Sequence, residues 1–168
     1  MAHIVQSIAL ASVLAGLALP MPTVTSLHRA LAHSDDHGHG HGFAAGEPGD
    51  PRKAGRVVEI VMREGPGTMS YSPSRIEVRK GEQIRFVLKN AGELRHEFLI
   101  DSVDNNARHK AEMEKSPDMA HGEPNGRHVE PRQTAEILWR FTKAGTFEFA
   151  CLIPGHYEAG MKGAIVVK

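Results

Sequence analysis

The sequence has a single cysteine, no excess of charge of either sign, and no apolar run of full membrane-spanning length. The lone cysteine excludes an internal disulfide framework and every zinc site built from two or more thiolates, but leaves room for a site that uses one. Lysine and arginine total 20 against 20 for aspartate and glutamate, so the bulk charge draws the chain neither to nucleic acid nor to an anionic membrane surface. The apolar stretch over residues 4–19 falls short of the roughly 20 residues needed to cross a bilayer and is closed by Pro20 and Pro22. A chain of 168 residues accommodates one domain with a real core and a tail or two. Against these gaps, 11 histidines and 7 methionines stand out.

The N-terminal apolar run reads as an export signal over residues 1–32. Ala30-Leu31-Ala32 supplies an A-x-A cleavage site that makes His33 the first mature residue and the periplasm the destination, with no membrane span left after cleavage. The alternatives are a cut after Ala18 or an uncleaved anchor. Residues 33–55 form a tail and linker. The first part, with His33, His37, His39 and His41 spaced by glycines and flanked by Asp35 and Asp36, has no apolar period and is expected to be disordered. Imidazoles beside acids suit a loose metal-collecting tail; a solvated linker is the plainer reading. From Phe43 to Gly55, glycines and prolines among small and charged residues suggest a linker into the folded domain.

Residues 56–168 carry a period of two. Val58, Ile60 and Met62, then Ile76 and Val78, then Ile84, Phe86 and Leu88, and later Ile137, Trp139 and Phe141 alternate with polar residues, and each early run ends in turn chemistry. About seven short strands at this spacing predict an all-β antiparallel Greek-key sandwich or barrel. Parity turns Cys151 inward with Phe147 and Phe149, and His96 inward with Phe98 and Ile100.

One segment, residues 101–132, breaks the pattern and is expected to be a partly helical insertion, with two helical turns over residues 108–115 before Pro117 stops them. It carries His109, Met113, Met119, His121 and His128. These suit a second, weaker copper site or a docking surface; the bland reading makes the methionines packing residues and leaves the histidines solvated.

The closing loop concentrates the chemistry. Cys151, His156 and Met161 follow one another at even intervals, with Pro154-Gly155 before the histidine and Gly160 and Gly163 around the methionine. A thiolate, an imidazole and a thioether are three of the four groups of a blue-copper site, and His96 supplies the second imidazole. Each residue alone has a mundane role as core filler; the combination points to metal. A zinc site with one thiolate and two imidazoles is chemically feasible, but the methionine argues for copper.

The segments Asn90–Phe98 and Phe149–Gly163 resemble the cupredoxin family of plastocyanins and azurins, and more narrowly the exported bacterial cupredoxins linked to copper tolerance. The resemblance covers roughly residues 56–168. It implies one type 1 copper held by His96, Cys151, His156 and Met161, with additional weakly bound copper at the tail and insertion. It also departs from the family: Glu97 stands where several relatives have an asparagine whose amide ties the two ligand loops, and a carboxylate cannot donate that hydrogen bond. The function implied is copper tolerance by sequestration or redox handling; the alternative is a single-electron carrier with a redox partner protein. An enzyme is disfavoured, because a thiol hydrolase needs an exposed thiolate beside an orienting group and multicopper enzymes need further histidines on rigid strands.

Overall fold

A computed structural model describes residues 43–116 and 122–168. The export segment, His33, His37, His39 and His41 of the tail, and Met119 and His121 of the insertion lie outside the described residues.

Among the described residues, ten strands form two sheets and one helix accompanies them. The first runs in the order β1 (Glu47–Pro48), β8 (Thr134–Arg140), β5 (Gln83–Asn90), β2 (Arg56–Gly65), β3 (Thr68–Ser72). The second runs β4 (Arg75–Val78), β10 (Lys162–Val167), β9 (Gly145–Ala150), β6 (His96–Asp101), β7 (Gly126–Val129). The alternation read from the sequence decides what lies between them: Ile60, Met62, Phe86, Leu88, Ile137 and Trp139 from the first sheet meet Ile76, Phe98, Phe149 and Ile165 from the second. Each such side chain, taken wholly out of water, contributes about 1.5–3 kcal/mol. Phe98 and Phe149 stack at 5.0 Å between ring centres, and Tyr71 stands edge-on to both.

The all-β sandwich with a partly helical insertion is the architecture observed, but both sheets are mixed rather than purely antiparallel. β2 pairs with β5, and β4 with β10, in parallel. Periodicity tells which face a residue takes, not which way its neighbour runs. That depends on the connections, here a chain that leaves the first sheet after β3, adds β4 to the second and returns as β5.

The insertion helix α1 (Val103–Lys115) starts five residues before the expected 108–115. Ser102 caps it by accepting a hydrogen bond from the Asn105 N–H, and Asp104 in the first turn and Lys115 in the last complement its dipole. Its buried Asn106 donates to the Glu148 carboxylate on β9 at 3.0 Å, a tertiary partner for a residue of poor helix propensity. Met113 packs in a cluster with Leu99, Ala150 and Leu152. Residues of both parities on β6 and β9 are therefore buried, where parity alone expected one face.

Residues 43–55, expected as a linker, run along the edge of the first sheet. Phe43 stands edge-on to Trp139 at 5.2 Å, Ala45 is fully buried, and β1 pairs Glu47 with Arg140. Gly46, at φ 149°, lets this strap approach, since a Cβ there would fall 2.0 Å from the Arg140 carbonyl oxygen. The Gln83 side chain fastens it by accepting from the Asp50 N–H and donating to the carbonyls of Asp50 and Lys53. Gln83→Leu is expected to lower stability by about 1–3 kcal/mol in denaturant unfolding and to speed amide exchange at Asp50. Unchanged exchange would mean that the strap is held without Gln83.

Candidate metal centre

The site grows from the register of two neighbouring strands. β6 and β9 pair Leu99 with Ala150 and Ile100 with Phe149, so His96 at the start of β6 and Cys151 just past β9 arrive at the same end of the sheet. The ladder opens there, and the Glu97 side chain continues it. The Glu97 N–H donates to the Cys151 Sγ at 3.3 Å, and the Leu152 N–H donates to Glu97 Oε2 at 3.1 Å. The sequence objection to Glu97 is thereby answered: a carboxylate cannot donate to the opposite loop, but it accepts from it, and the tie persists with its polarity reversed. Glu97 is fully buried; its Oε1 lies 3.4 Å from His128 Nε2, and its carbonyl accepts from the Tyr71 hydroxyl.

The loop from Cys151 to Met161 is closed by backbone bonds: Cys151 N–H to the Met161 carbonyl at 3.0 Å, Met161 N–H to His156 at 3.1 Å, and His156 N–H to Ile153 at 3.0 Å. Met161 is fully buried in the main core together with Cys151. The insertion helix braces this loop from outside. Lys110 bonds Glu158 at 2.8 Å as well as Glu114, Tyr157 packs on the Met113 cluster, and the Tyr157 hydroxyl donates to Glu148 at 3.0 Å.

Three donor atoms converge as a result. His96 Nδ1 lies 3.3 Å from His156 Nδ1, the Cys151 Sγ lies 3.3 Å from His156 Nδ1, and the ligand atoms of all three residues fall within 4.8 Å of one another. His96 and Cys151 are fully buried, while His156 is partly exposed. Burial pushes the Cys151 thiol up to about 12, against a smaller opposing pull from the Glu97 N–H. Burial, helped by the neighbouring His96, lowers the His156 ring, which favours the neutral, ligating form.

No motif or spacing marks Glu64, the next-to-last residue of β2, where turn chemistry begins. Its Oε1 is 2.6 Å from His96 Nε2. Burial acts to raise this carboxyl, but the N–H groups of Glu93 and Leu94, together with His96, outweigh it and hold the group below its ordinary value.

A family model for "copper binding proteins, plastocyanin/azurin family" matches residues 58–168. The chain belongs to the plastocyanin/azurin family of copper-binding proteins. It is 47% identical over 137 residues to the copper-resistant cuproprotein CopI of Rubrivivax gelatinosus, covering 82% of this chain and 81% of the relative. It is 38% identical to the protein of that name from Pseudomonas aeruginosa, covering 76% and 84%. Among solved structures, auracyanin of Roseiflexus castenholzii superposes with a TM-score of 0.58 at 24% identity, covering 69% of this chain and 99% of that one, a likeness of fold.

The residues present fit the family's metal. A thiol and two imidazoles meeting at one pole, with a thioether buried at the foot of the loop, form a soft, nitrogen-and-sulfur donor set that suits copper and not a hard oxygen-seeking cation. Among the described residues, no second group of three or more His, Cys, Asp or Glu side chains converges in this way. Of the insertion residues expected as secondary ligands, Met113 lies in its apolar cluster, and His109 sits on α1 with Glu112 at 4.0 Å and lines a cleft with Asp101, Asn105, Glu123 and Asn125. His128 reaches the centre indirectly, through Glu97.

A thiol buried and pushed up to about 12 is nearly all protonated at pH 8. Metal-free protein is therefore expected to react with a thiol-specific disulfide reagent at least ~100-fold more slowly when native than when denatured. Comparable rates would mean that Cys151 is exposed in solution.

Proposed function

We propose that the protein is an exported, periplasmic copper-tolerance protein that holds one type 1 copper at His96, Cys151, His156 and Met161. The observation that carries this reading is the convergence of the Cys151 thiol with the two imidazole Nδ1 atoms at one braced end of the sandwich. His96 and His156 would hold the copper through their imidazoles, Cys151 through its thiolate and Met161 through its thioether. Bound copper supplies one-electron redox chemistry. The chain's own part is to keep the donors fixed: β6 and β9 hold His96 and Cys151, the backbone bonds of the loop hold His156 and Met161, and α1 limits the loop's movement. A frame held in this way would limit the rearrangement between the two copper oxidation states.

The tolerance reading draws its support from the two relatives named as copper-resistant cuproproteins, which match over most of their length, and from the histidines of the tail and insertion. Those side chains, His33, His37, His39, His41, His109 and His121 with Met119, collect further ions weakly in this proposal, and the type 1 centre handles copper one ion at a time.

Purified protein titrated with Cu(II) is expected to develop an intense visible thiolate-to-copper band that saturates at one ion. Cys151→Ser is expected to abolish it, and Met161→Leu to keep it with altered position or intensity. A band that survives Cys151→Ser would overturn the ligand set. Cells lacking the gene are expected to stop growing at lower copper than their parent, and the Cys151→Ser chain to fail to restore growth. A deletion strain with normal copper resistance and one blocked respiratory pathway would instead identify a single-electron carrier.

A further inference from the structure

Glu64 has no task in the function proposed above, yet it occupies a built position against His96. It lies one residue before the end of β2 in the first sheet, whereas His96 opens β6 in the second, so their 2.6 Å contact between Oε1 and Nε2 spans the sandwich at the candidate metal pole. His96 is fully buried, and the Glu64 side chain is 21% exposed.

The carboxylate is seated by backbone. Its Oε2 accepts from the Glu93 N–H at 2.8 Å and its Oε1 from the Leu94 N–H at 3.2 Å. The turn that presents these groups is folded by Asn90, which accepts from the Gly92 N–H and donates to the carbonyls of Leu94 and Val129. Gly92 leaves the space the carboxylate fills, since a Cβ there would fall 2.0 Å from Glu64 Oε1. Two N–H groups, a shaped turn and a glycine all converge on one carboxylate whose remaining contact is the outer nitrogen of a candidate ligand.

A neutral imidazole has one N–H. Donated from Nε2 to Glu64, it leaves the lone pair on Nδ1, the atom that faces the Cys151 and His156 cluster. We infer that Glu64 is a positioning residue that fixes the His96 tautomer and ring orientation and strengthens His96 as a Cu(II) ligand. An acceptor of this kind raises ligand basicity, and removing it from a metal-bound histidine typically costs about 10–100-fold in affinity. Negative charge behind the ring favours Cu(II) over Cu(I), so Glu64 holds the reduction potential down. The inference rests on His96 being a copper ligand, as proposed above.

The test has a metal-free and a metal-bound arm. In metal-free wild-type protein, long-range proton–nitrogen correlation spectra are expected to show His96 as the Nε2–H tautomer; an Nδ1–H ring would overturn the inference whether or not any variant folds. In the metal-bound arm, Glu64→Gln, which keeps the shape and removes the charge, is expected to retain the visible thiolate band while Cu(II) affinity falls about 10–100-fold and Cu(I) affinity changes less. A tenfold loss of Cu(II) relative to Cu(I) appears as a rise of about 59 mV in the one-electron potential. Gly92→Ala, which displaces the carboxylate, is expected to move the potential in the same direction. A Glu64→Gln protein with wild-type affinity and potential would overturn the role of Glu64 and leave the copper site standing. Absence of the thiolate band in wild-type protein would instead strike the copper-site reading itself.

Discussion

The meeting of His96 and Cys151 depends on how one strand pair ends. β6 and β9 stop their ladder at Leu99 and Ala150, and the chain beyond would separate if nothing took over the unpaired groups. Glu97 takes over, giving its N–H to the Cys151 sulfur and its carboxylate to the Leu152 N–H. A buried carboxylate is costly unless its oxygens are satisfied. Here the requirement is turned into geometry: the bond that satisfies the Leu152 N–H also sets the separation of the strands that carry His96 and Cys151.

Around this tie the insertion acts as a brace. α1 covers the outer face of β6 and β9 through Met113, binds β9 through Asn106 and Glu148, and reaches the loop between Cys151 and Met161 through Lys110 and Glu158. The exposed Lys110 pair is worth little alone, because solvent screens it. The same contact surface also buries Met113 and part of Tyr157, so the ion pair adds direction to an apolar anchor. Such bracing suits a site whose thiol is protonated and buried before metal arrives. Under the function proposed above, a metal held by that thiol would have to expel the proton, and a loop already in place would lose little additional freedom.

The parts of the candidate site that are legible in the sequence have a short-range signature. Cys151, His156 and Met161 are linked by spacing within one loop, and the inward aim of His96 and Cys151 follows from strand parity. Glu64 had no such signature: it is 32 residues from His96 and looks like the last charged residue before a turn. Glu97 stands out in the sequence only as a missing donor, because sequence does not say which backbone N–H lies opposite. Residues 43–55 looked like a linker for a related reason. Glycine and proline mark irregular backbone, and irregular backbone packs as well as a strand when Gln83 and Arg140 offer it partners.

The sequence by itself determined the sandwich faces, the inward parity of two candidate ligands and the soft chemistry of the donor set, because each follows from side-chain type and from spacing along a few residues. Tertiary structure alone decided the parallel pairings, the early start of α1, the reversed Glu97 tie and the carboxylate behind His96. These depend on contacts between segments far apart in the chain, and their free energy belongs to the pair: the Glu64 carboxylate is held by the turn carrying Gly92, and the outer nitrogen of His96 is met by Glu64, only once both sheets have closed.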